Sequence, residues 1–164
     1  MPLELFVKFD GVTGDSRGQN LKGWSDVVSW QWHAARNDTA AAGAPALHLD
    51  AISLRKKIGS DSPGLLSALA DGRVIPRAEL RAVPVLSKRE AAQKYLAIVL
   101  DGVRIVSITM TGATQEEYFA EDIVLRFAAI AFEHSSYAPT GPDRPAEAAV
   151  DTVFQWAAPD GVPH

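Results

Sequence analysis

The sequence predicts an all-β protein, a β-barrel or closed sandwich of antiparallel strands with one short α-helix. Apolar residues alternate with other residues along most of the chain, and a period of two is typical of strands. Turn-forming segments such as GVTGDSRGQN separate these stretches. Only SPGLLSALADG carries helix signals at both ends. We expect one barrel domain over residues 1–158 and a flexible C-terminal tail over residues 159–164.

The first three predicted strands follow directly from the alternation. The first strand has one apolar face, formed by Leu3, Leu5, Val7 and Phe9. The second strand has one face formed by Val28, Trp30, Trp32 and Ala34 and an opposite face formed by Ser29, Gln31 and His33. A third strand is predicted from about residue 47 to residue 56.

Later strands are predicted from proline and glycine as well as from alternation. Pro76 and Pro84 bracket RAELRAV, and because each proline removes a ladder donor they predict a strand at a sheet edge. KYLAIVLDGVRIVSITMTG predicts a hairpin about Asp101-Gly102. EDIVLRFAAIAFEHSSY predicts one long strand, and TVFQWAA predicts a short last strand.

The single predicted helix has a clear start and end. Ser62 is predicted to cap its N-terminus, with Pro63 at the first helical position, and Gly72 is predicted to end it. An apolar stripe for packing on the sheet is formed by Leu65, Leu66 and Leu69.

Several predicted strands are apolar on both faces, which is unusual for antiparallel sheets with one solvated side. In the segment from residue 95 to residue 100, Leu96, Ile98 and Leu100 oppose Tyr95, Ala97 and Val99. The second apolar face needs a cover. Either the helix and long loops of the same chain supply it, or a neighbouring copy of the chain does.

Composition excludes several classes of function. The chain has no cysteine, which excludes disulfide frameworks and thiolate chemistry. A net charge of −4 offers no general attraction to nucleic acid or anionic lipid, so we expect neither partner. No secretory signal and no apolar stretch long enough to span a bilayer is visible in the sequence. We therefore expect a protein that is made in the cytoplasm, does not insert into a membrane, and uses another route for any export.

The search for catalytic and metal motifs yields little. No P-loop, nucleophile elbow or zinc-ligand spacing is present, and we predict no catalytic residue, no cofactor and no metal. His48 and Asp50 lie two apart on one predicted strand and form at most an incomplete metal or acid/base site. The acidic pairs Glu116-Glu117 and Glu121-Asp122 lie in a turn and at a strand start, where acidic residues are usually solvated.

Two further groups of residues could bind a ligand. A set of basic residues could contact phosphate, but a solvated face or inter-subunit ion pairs explain it better: Arg55, Lys56, Lys57, Arg73, Arg77 and Arg81. Trp30 and Trp32 could line a ligand cavity, although aromatic residues on one face of a strand usually belong to the core.

The order of the segments resembles that of the Hcp family, the inner-tube proteins of bacterial type VI secretion systems. The resemblance runs from about Leu3 to Trp156 and includes the Ser-Trp-x-Trp run from Ser29 to Trp32. Its most specific part is a spaced set of residues in and after the helix, formed by Asp61, Pro63, Leu65, Ala68, Gly72, Ile75, Pro76, Ala78 and Leu80.

This resemblance implies a phage tail-tube-like barrel that assembles as a hexameric ring. The rings would stack into a tube that carries effectors, contacts sheath, spike and baseplate proteins, and leaves the cell through the apparatus. Ser29 and Gln31 are candidates for the lumen surface. The loop that would contact an adjacent subunit or ring comprises Asn37, Asp38, Thr39, Ala40, Ala41, Ala42, Gly43, Ala44, Pro45 and Ala46. A tube protein of another phage-like injection machine and a small-molecule-binding barrel are the alternatives.

Overall fold

The computed structural model describes residues 2–17, 21–39, 43, 46–84, 96–135 and 151–163. These residues form antiparallel strands and one helix, and the predicted fold class is confirmed. In chain order the elements are β1 (Leu3–Phe9), β2 (Ser25–Gln31), β3 (Ala34–Arg36), β4 (Leu47–Leu49), β5 (Ile52–Lys57), α1 (Ser62–Asp71), β6 (Ile75–Pro84), β7 (Leu96–Thr111), β8 (Ala120–Arg126), β9 (Ala129–Ser135) and β10 (Asp151–Ala157).

Six strands close into a barrel because β7 is long enough to take two sets of partners. Its first half pairs with β6, and its second half pairs with β8. The circuit then runs from β8 through β5, β2 and β1 back to β6. Strands β9 and β10 extend the sheet outward from the first half of β7, so β10 forms its outer edge.

The inner faces of the barrel strands form one continuous apolar core. The predicted inner face of β1 is confirmed at Val7 and Phe9, which are buried, whereas Leu3 at the barrel end is exposed. Alternation also places Ala78, Leu80 and Ala82 of β6 inside, as predicted. Helix α1 packs against this core through Leu65 and Ala68.

The predicted hairpin at Asp101-Gly102 is wrong, since β7 runs through both residues without turning. Gly102 has a φ of 61°, a left-handed conformation that favours glycine. A Cβ at this position would lie 2.9 Å from the Cβ of Ala128. The Asp-Gly pair therefore marks the bend in β7 near which pairing with β6 ends and pairing with β8 begins. The β8–β9 connection lies directly against this bend.

The predicted long strand from residue 121 is two strands, β8 and β9, separated at Phe127-Ala128. The amide of Ala128 donates to the carbonyls of Asp101 and Gly102, at 3.0 and 3.2 Å. The break changes the parity of the alternation, so Leu125 before it and Ile130 after it are both buried. In this segment, the apparent apolar character of both faces comes from this change of parity.

The structure differs from the predicted second and third strands in two further ways, which affect β2, β4 and β5. A bulge between Val27 and Ser29 leaves Val28 exposed and ends its predicted common face with Trp30. The predicted third strand is interrupted at Asp50-Ala51, which separates β4 from β5. The first residues of that prediction instead belong to the small two-stranded sheet formed by β3 and β4.

Strand β6 is not at a sheet edge, in contrast to the prediction from its prolines. It pairs with β1 on one side and with β7 on the other. Pro76 and Pro84 lie at its two ends, where the loss of a donor interrupts the ladder least.

The helix ends as predicted but begins differently. Gly72 ends it in a left-handed conformation, and its amide donates to the carbonyl of Leu69 at 3.2 Å. The N-cap position belongs to Asp61 rather than Ser62, and no side chain caps the helix there. The carboxylate of Asp61 is instead engaged inside the barrel by Ser25 and Lys56.

Part of the outer surface is apolar and is covered by the chain itself. Phe6 of β1 and Val83 of β6 point outward and are buried by Leu21 and Trp24 of the loop before β2. The guanidinium of Arg81 lies 4.6 Å from the centre of the Trp24 ring and completes this cover. The outer apolar side chains of β1 and β6 are therefore covered by a loop of the same chain.

Candidate functional site: a polar sheet face and a hairpin loop

The outward side of one half of the barrel is polar, and we call it the polar face. It belongs to β2, β5, β8 and the second half of β7, which are consecutive neighbours in the barrel. Its residues are Ser29, Gln31, Ser53, Arg55, Lys57, Asp122, Val124, Arg126, Arg104, Ser107, Thr109 and Thr111. Most inward neighbours on the same strands are apolar and buried or partly buried, whereas Lys56 and Glu121 are buried and charged, and Met110 near the end of β7 is exposed.

Strand register arranges the polar face in rows. Ser29 of β2, Arg55 of β5, Asp122 of β8 and Thr109 of β7 form one row across the four strands. The next row contains Gln31, Ser53, Val124 and Ser107. Ser29 and Gln31, the candidates for the lumen surface, thus lie in neighbouring rows on the exposed side of the sheet.

Most charges on the polar face are neutralised by local ion pairs. Arg55 donates to both carboxylate oxygens of Asp122, at 3.2 and 2.9 Å. Lys57 lies 3.5 Å from Asp26. The row at the start of the second half of β7 is different, because it places two like charges, Arg104 of β7 and Arg126 of β8, directly opposite each other.

The second feature is the β3–β4 hairpin, which carries the predicted contact loop. Backbone pairing at its base continues to Asn37, whose amide donates to the carbonyl of Ala46 at 2.7 Å. Beyond it, the side chain of Asn37 accepts hydrogen bonds from the amide and hydroxyl of Thr39, while Asp38 pairs with Arg36. Gly43 has a φ of 91°. The remaining predicted residues lie outside the described part of the chain: Ala40, Ala41, Ala42, Ala44 and Pro45.

One carboxylate joins two histidines at the base of this hairpin. His33 Nδ1 lies 2.8 Å from Asp50 Oδ2, and His48 Nε2 lies 2.9 Å from Asp50 Oδ1. The sequence predicts His48 and Asp50 on one strand and His33 on another, and the β3–β4 hairpin, which the alternation does not predict, brings all three together. No cluster of three or more metal-binding side chains is found among the described residues.

A buried polar network lies inside the barrel, and sequence analysis missed it. Lys56 contacts the carboxylates of both Asp61 and Glu121, and its ammonium also donates to the carbonyl of Lys57 at 2.7 Å. Ser62 donates to Glu121 Oε1 at 2.9 Å. The other oxygen of Glu121 has no hydrogen-bond partner within the described residues. Glu121 was expected to be solvated, and that expectation is wrong.

The other basic residues form ion pairs within the chain and make no common patch. Arg73 pairs with Asp71 at 3.1 Å, and Arg77 pairs with Asp101 at 2.8 Å. The hydrogen bond from Arg77 to Asp101 raises the pKa of this guanidinium above its usual range. Since its partners belong to the same chain, this basic set needs no neighbouring subunit for charge compensation.

The two tryptophans pack against the barrel core. Trp30 and Trp32 are half-buried against it, and the Trp32 ring meets Phe127 edge-on with the ring centres 6.4 Å apart. The Trp32 indole donates to the carbonyl of Asp50 at 3.0 Å. These contacts account for both side chains without a bound ligand.

Exposed large apolar side chains are spread over the described residues, and two of them lie on the edge strand. Val153 and Phe154 of β10 are 52% and 44% exposed. No helix within the described ranges has both the length and the apolar character that a bilayer crossing requires.

Comparison with known proteins decides the family. The model of the family described as "Type VI secretion system effector, Hcp" matches residues 6–134. The chain belongs to the Hcp family. Among curated Hcp relatives, protein hcp1 of Pseudomonas aeruginosa is 24% identical over 138 residues, covering 82% of this chain and 84% of the relative.

Solved Hcp structures have the same fold. Hcp1 from Salmonella typhimurium superposes with a TM-score of 0.76 at 21% identity, over 100% of both chains. A structure described as a type six secretion system protein gives a TM-score of 0.78 at 20% identity, over 99% of this chain and 100% of the other. The chain is thus a tube protein of a type VI secretion system, a structural component of a secretion machine.

Proposed function

We propose that this Hcp protein assembles as a hexameric ring, that rings stack into a hollow tube, and that the polar face lines the lumen in which effectors travel. The polar face is the observation that carries the proposal. It is a broad sheet surface on the outside of a barrel, made mostly of hydroxyl, amide and charged side chains, with Val124 and the exposed bulge residues Val28 and Val106 as its apolar members. A conduit for folded cargo needs such a surface, since an apolar wall would bind passing proteins without release.

The edge strand β10 is the proposed contact between copies in the ring. An edge strand presents unpaired backbone N–H and C=O groups, and β10 adds the exposed side chains of Val153 and Phe154. Contact of this edge with a different surface of the next copy is heterologous, and such contacts close into rings when the rotation fits. The barrel over residues 1–158 builds the ring, and residues 159–164 form a tail outside it.

The β3–β4 hairpin is the proposed contact between stacked rings. Its base is fixed by backbone pairing and by the two histidines on Asp50, while Asn37, Asp38 and Thr39 are exposed. Small side chains through Ala46 allow the backbone of the loop to approach a partner closely. The ring would assemble in the cytoplasm, meet sheath, spike and baseplate proteins, and leave through the apparatus.

Sedimentation of the purified protein tests the ring directly. We expect a species near six times the 17.6 kDa chain mass and ring-shaped particles by negative-stain microscopy. Phe154→Glu is expected to shift the protein toward monomers, because a charge at the edge contact must be desolvated. Leu66→Glu, at an exposed position of α1, serves as the control. A monomer at micromolar concentration for the unmodified protein would contradict the proposal.

A second variant tests the stacking contact separately. Thr39→Lys introduces a charge into the hairpin loop and should leave rings intact while it shortens or abolishes stacks seen by microscopy. Ser67→Lys, on the exposed side of α1, is the matched control. Stacks of unchanged length for Thr39→Lys would show that the loop makes no contact between rings.

A further inference from the structure

Two arginines face each other on the polar face, and neither has a partner among the residues that the structure describes. Arg104 of β7 and Arg126 of β8 are directly paired in the ladder, next to the buried pair Ile105 and Leu125. Both arginines are exposed. Within the described part of the chain, neither guanidinium forms a hydrogen bond or an ion pair. We call these two residues the arginine pair.

This arrangement is unfavourable by itself. Like charges directly opposite each other in an antiparallel ladder repel and destabilise the sheet. The other strand cations nearby are neutralised, Arg55 by Asp122 and Lys57 by Asp26. The arginine pair therefore leaves a surplus of positive charge on the polar face of a chain whose net charge is −4.

The surroundings of the arginine pair suit a carboxylate ligand. The guanidinium group presents a planar fork of donors that matches a carboxylate with two parallel hydrogen bonds. The adjoining row supplies the hydroxyls of Ser107 and Ser53 and the amide of Gln31. An anion held between the two arginines would also remove their mutual repulsion.

We infer that the arginine pair binds acidic segments of the polypeptides that pass along the polar face. This inference rests on the proposed function, since cargo reaches the face in the lumen of a ring, where repeated copies of the pair would form a positive belt. Nucleic acid fits less well, because the described residues of the polar face include no aromatic side chain on which a base could stack. The overall negative charge of the chain also repels a long polyanion such as a nucleic acid strand.

Fluorescence anisotropy with the intact protein tests the inference. The probe is a short labelled peptide of alternating Glu and Gly, and a Gln-Gly peptide of the same length is the neutral comparison. Arg104→Gln/Arg126→Gln is expected to weaken binding of the acidic peptide by about tenfold or more, since charge-assisted hydrogen bonds are lost at two sites. Arg73→Gln/Arg77→Gln removes the same charge from exposed positions elsewhere and should change affinity by less than about twofold.

Several results would overturn the inference. They include equal binding by the two double variants, tighter binding of an oligo-dT strand than of the acidic peptide, and displacement by millimolar inorganic phosphate as efficient as displacement by unlabelled peptide. Sedimentation of the same samples separates this inference from the proposed function. If the protein forms rings that do not bind the peptide, the inference is contradicted and the proposed tube function is not. If the protein is monomeric and binds the peptide through the arginine pair, the proposed ring is contradicted and the acidic ligand is supported.

Discussion

Lys56 and Asp61 form a 2.9 Å ion pair inside the barrel, with side chains that are 0% and 1% exposed. Glu121, equally buried, contacts the same ammonium. Hydroxyl groups complete the network, with Ser25 donating to Asp61 and Ser62 donating to Glu121. The network joins β2, β5 and β8 to the start of α1, so it fixes the helix against the barrel through polar contacts as well as through apolar packing.

Removal of the lysine from this network should destabilise the fold severely. Lys56→Met leaves the carboxylates of Asp61 and Glu121 buried beside each other without a cation. Breaking a buried pair in this way costs about 3–5 kcal/mol, because an uncompensated charge remains in the interior. Urea denaturation at a fixed chain concentration measures the loss in the free energy of unfolding.

The next residue along the strand supplies the control for that experiment. Lys57 points outward, its side chain is 45% exposed, and it lies 3.5 Å from Asp26. Lys57→Met should cost less than about 1 kcal/mol, as is usual for exposed pairs. Equal losses for the two variants would show that burial of the Lys56 network contributes nothing particular to stability.

Alternation along single strands predicted much of this fold. The inner faces of β1 and β6, the placement of Ser29 and Gln31 on the face opposite Trp30, and the end of α1 at Gly72 all follow from local sequence. A residue's parity and its backbone preferences act over a few neighbours, so they can be recognised without the rest of the chain.

The predictions that are wrong concern strands whose path depends on the strands with which they pair. Asp101-Gly102 is a common hairpin signal, but here β7 continues because it has strands to pair with on both sides of the bend. The register between paired strands also determines which charges meet, so the arginine pair could not be found from patterns along single strands. Lys56 could have been found, since it shares the parity of buried Ile52 and Leu54. Lysine's usual preference for solvent obscured that signal.

Gly102 should be sensitive to substitution for two separable reasons. Gly102→Ala introduces strain at a φ of 61° and also places a Cβ 2.9 Å from the Cβ of Ala128. Gly72→Ala introduces the same strain at a φ of 64°, with no atom within 4 Å of the added Cβ. We expect the loss of about 1 kcal/mol from strain alone at Gly72 and a clearly larger loss at Gly102. Thermal or urea denaturation compares the free energies of unfolding of the two variants. Equal losses of stability would mean that the β8–β9 connection shifts enough to accommodate the new methyl group.

The carboxylate of Asp50 should determine how firmly the hairpin base is held. Asp50→Ala removes the contacts to both His33 and His48, so the amides paired between β3 and β4 should exchange their hydrogens faster. The free energy of global unfolding should change by less than about 1 kcal/mol, because these groups are exposed. Asp38→Ala, which removes the pair with Arg36 beyond the paired base, is the control. Unchanged exchange in Asp50→Ala would show that backbone pairing alone holds the base.

Reversal of one charge in the arginine pair should stabilise the protein. Arg104→Glu and Arg126→Glu each place opposite charges across the β7–β8 ladder and are expected to gain about 0.2–1 kcal/mol. The double variant Arg104→Glu/Arg126→Glu restores like charges with the opposite sign, so its stability should return close to that of the unmodified chain. The double-mutant cycle cancels the intrinsic strand preference of glutamate and isolates the coupling between the two positions. Urea denaturation at low and at high salt measures this coupling, which should shrink as salt screens the exposed charges. Additive effects of the two single variants at low salt would show that the guanidinium groups do not interact, and that their repulsion does not favour an anion between them.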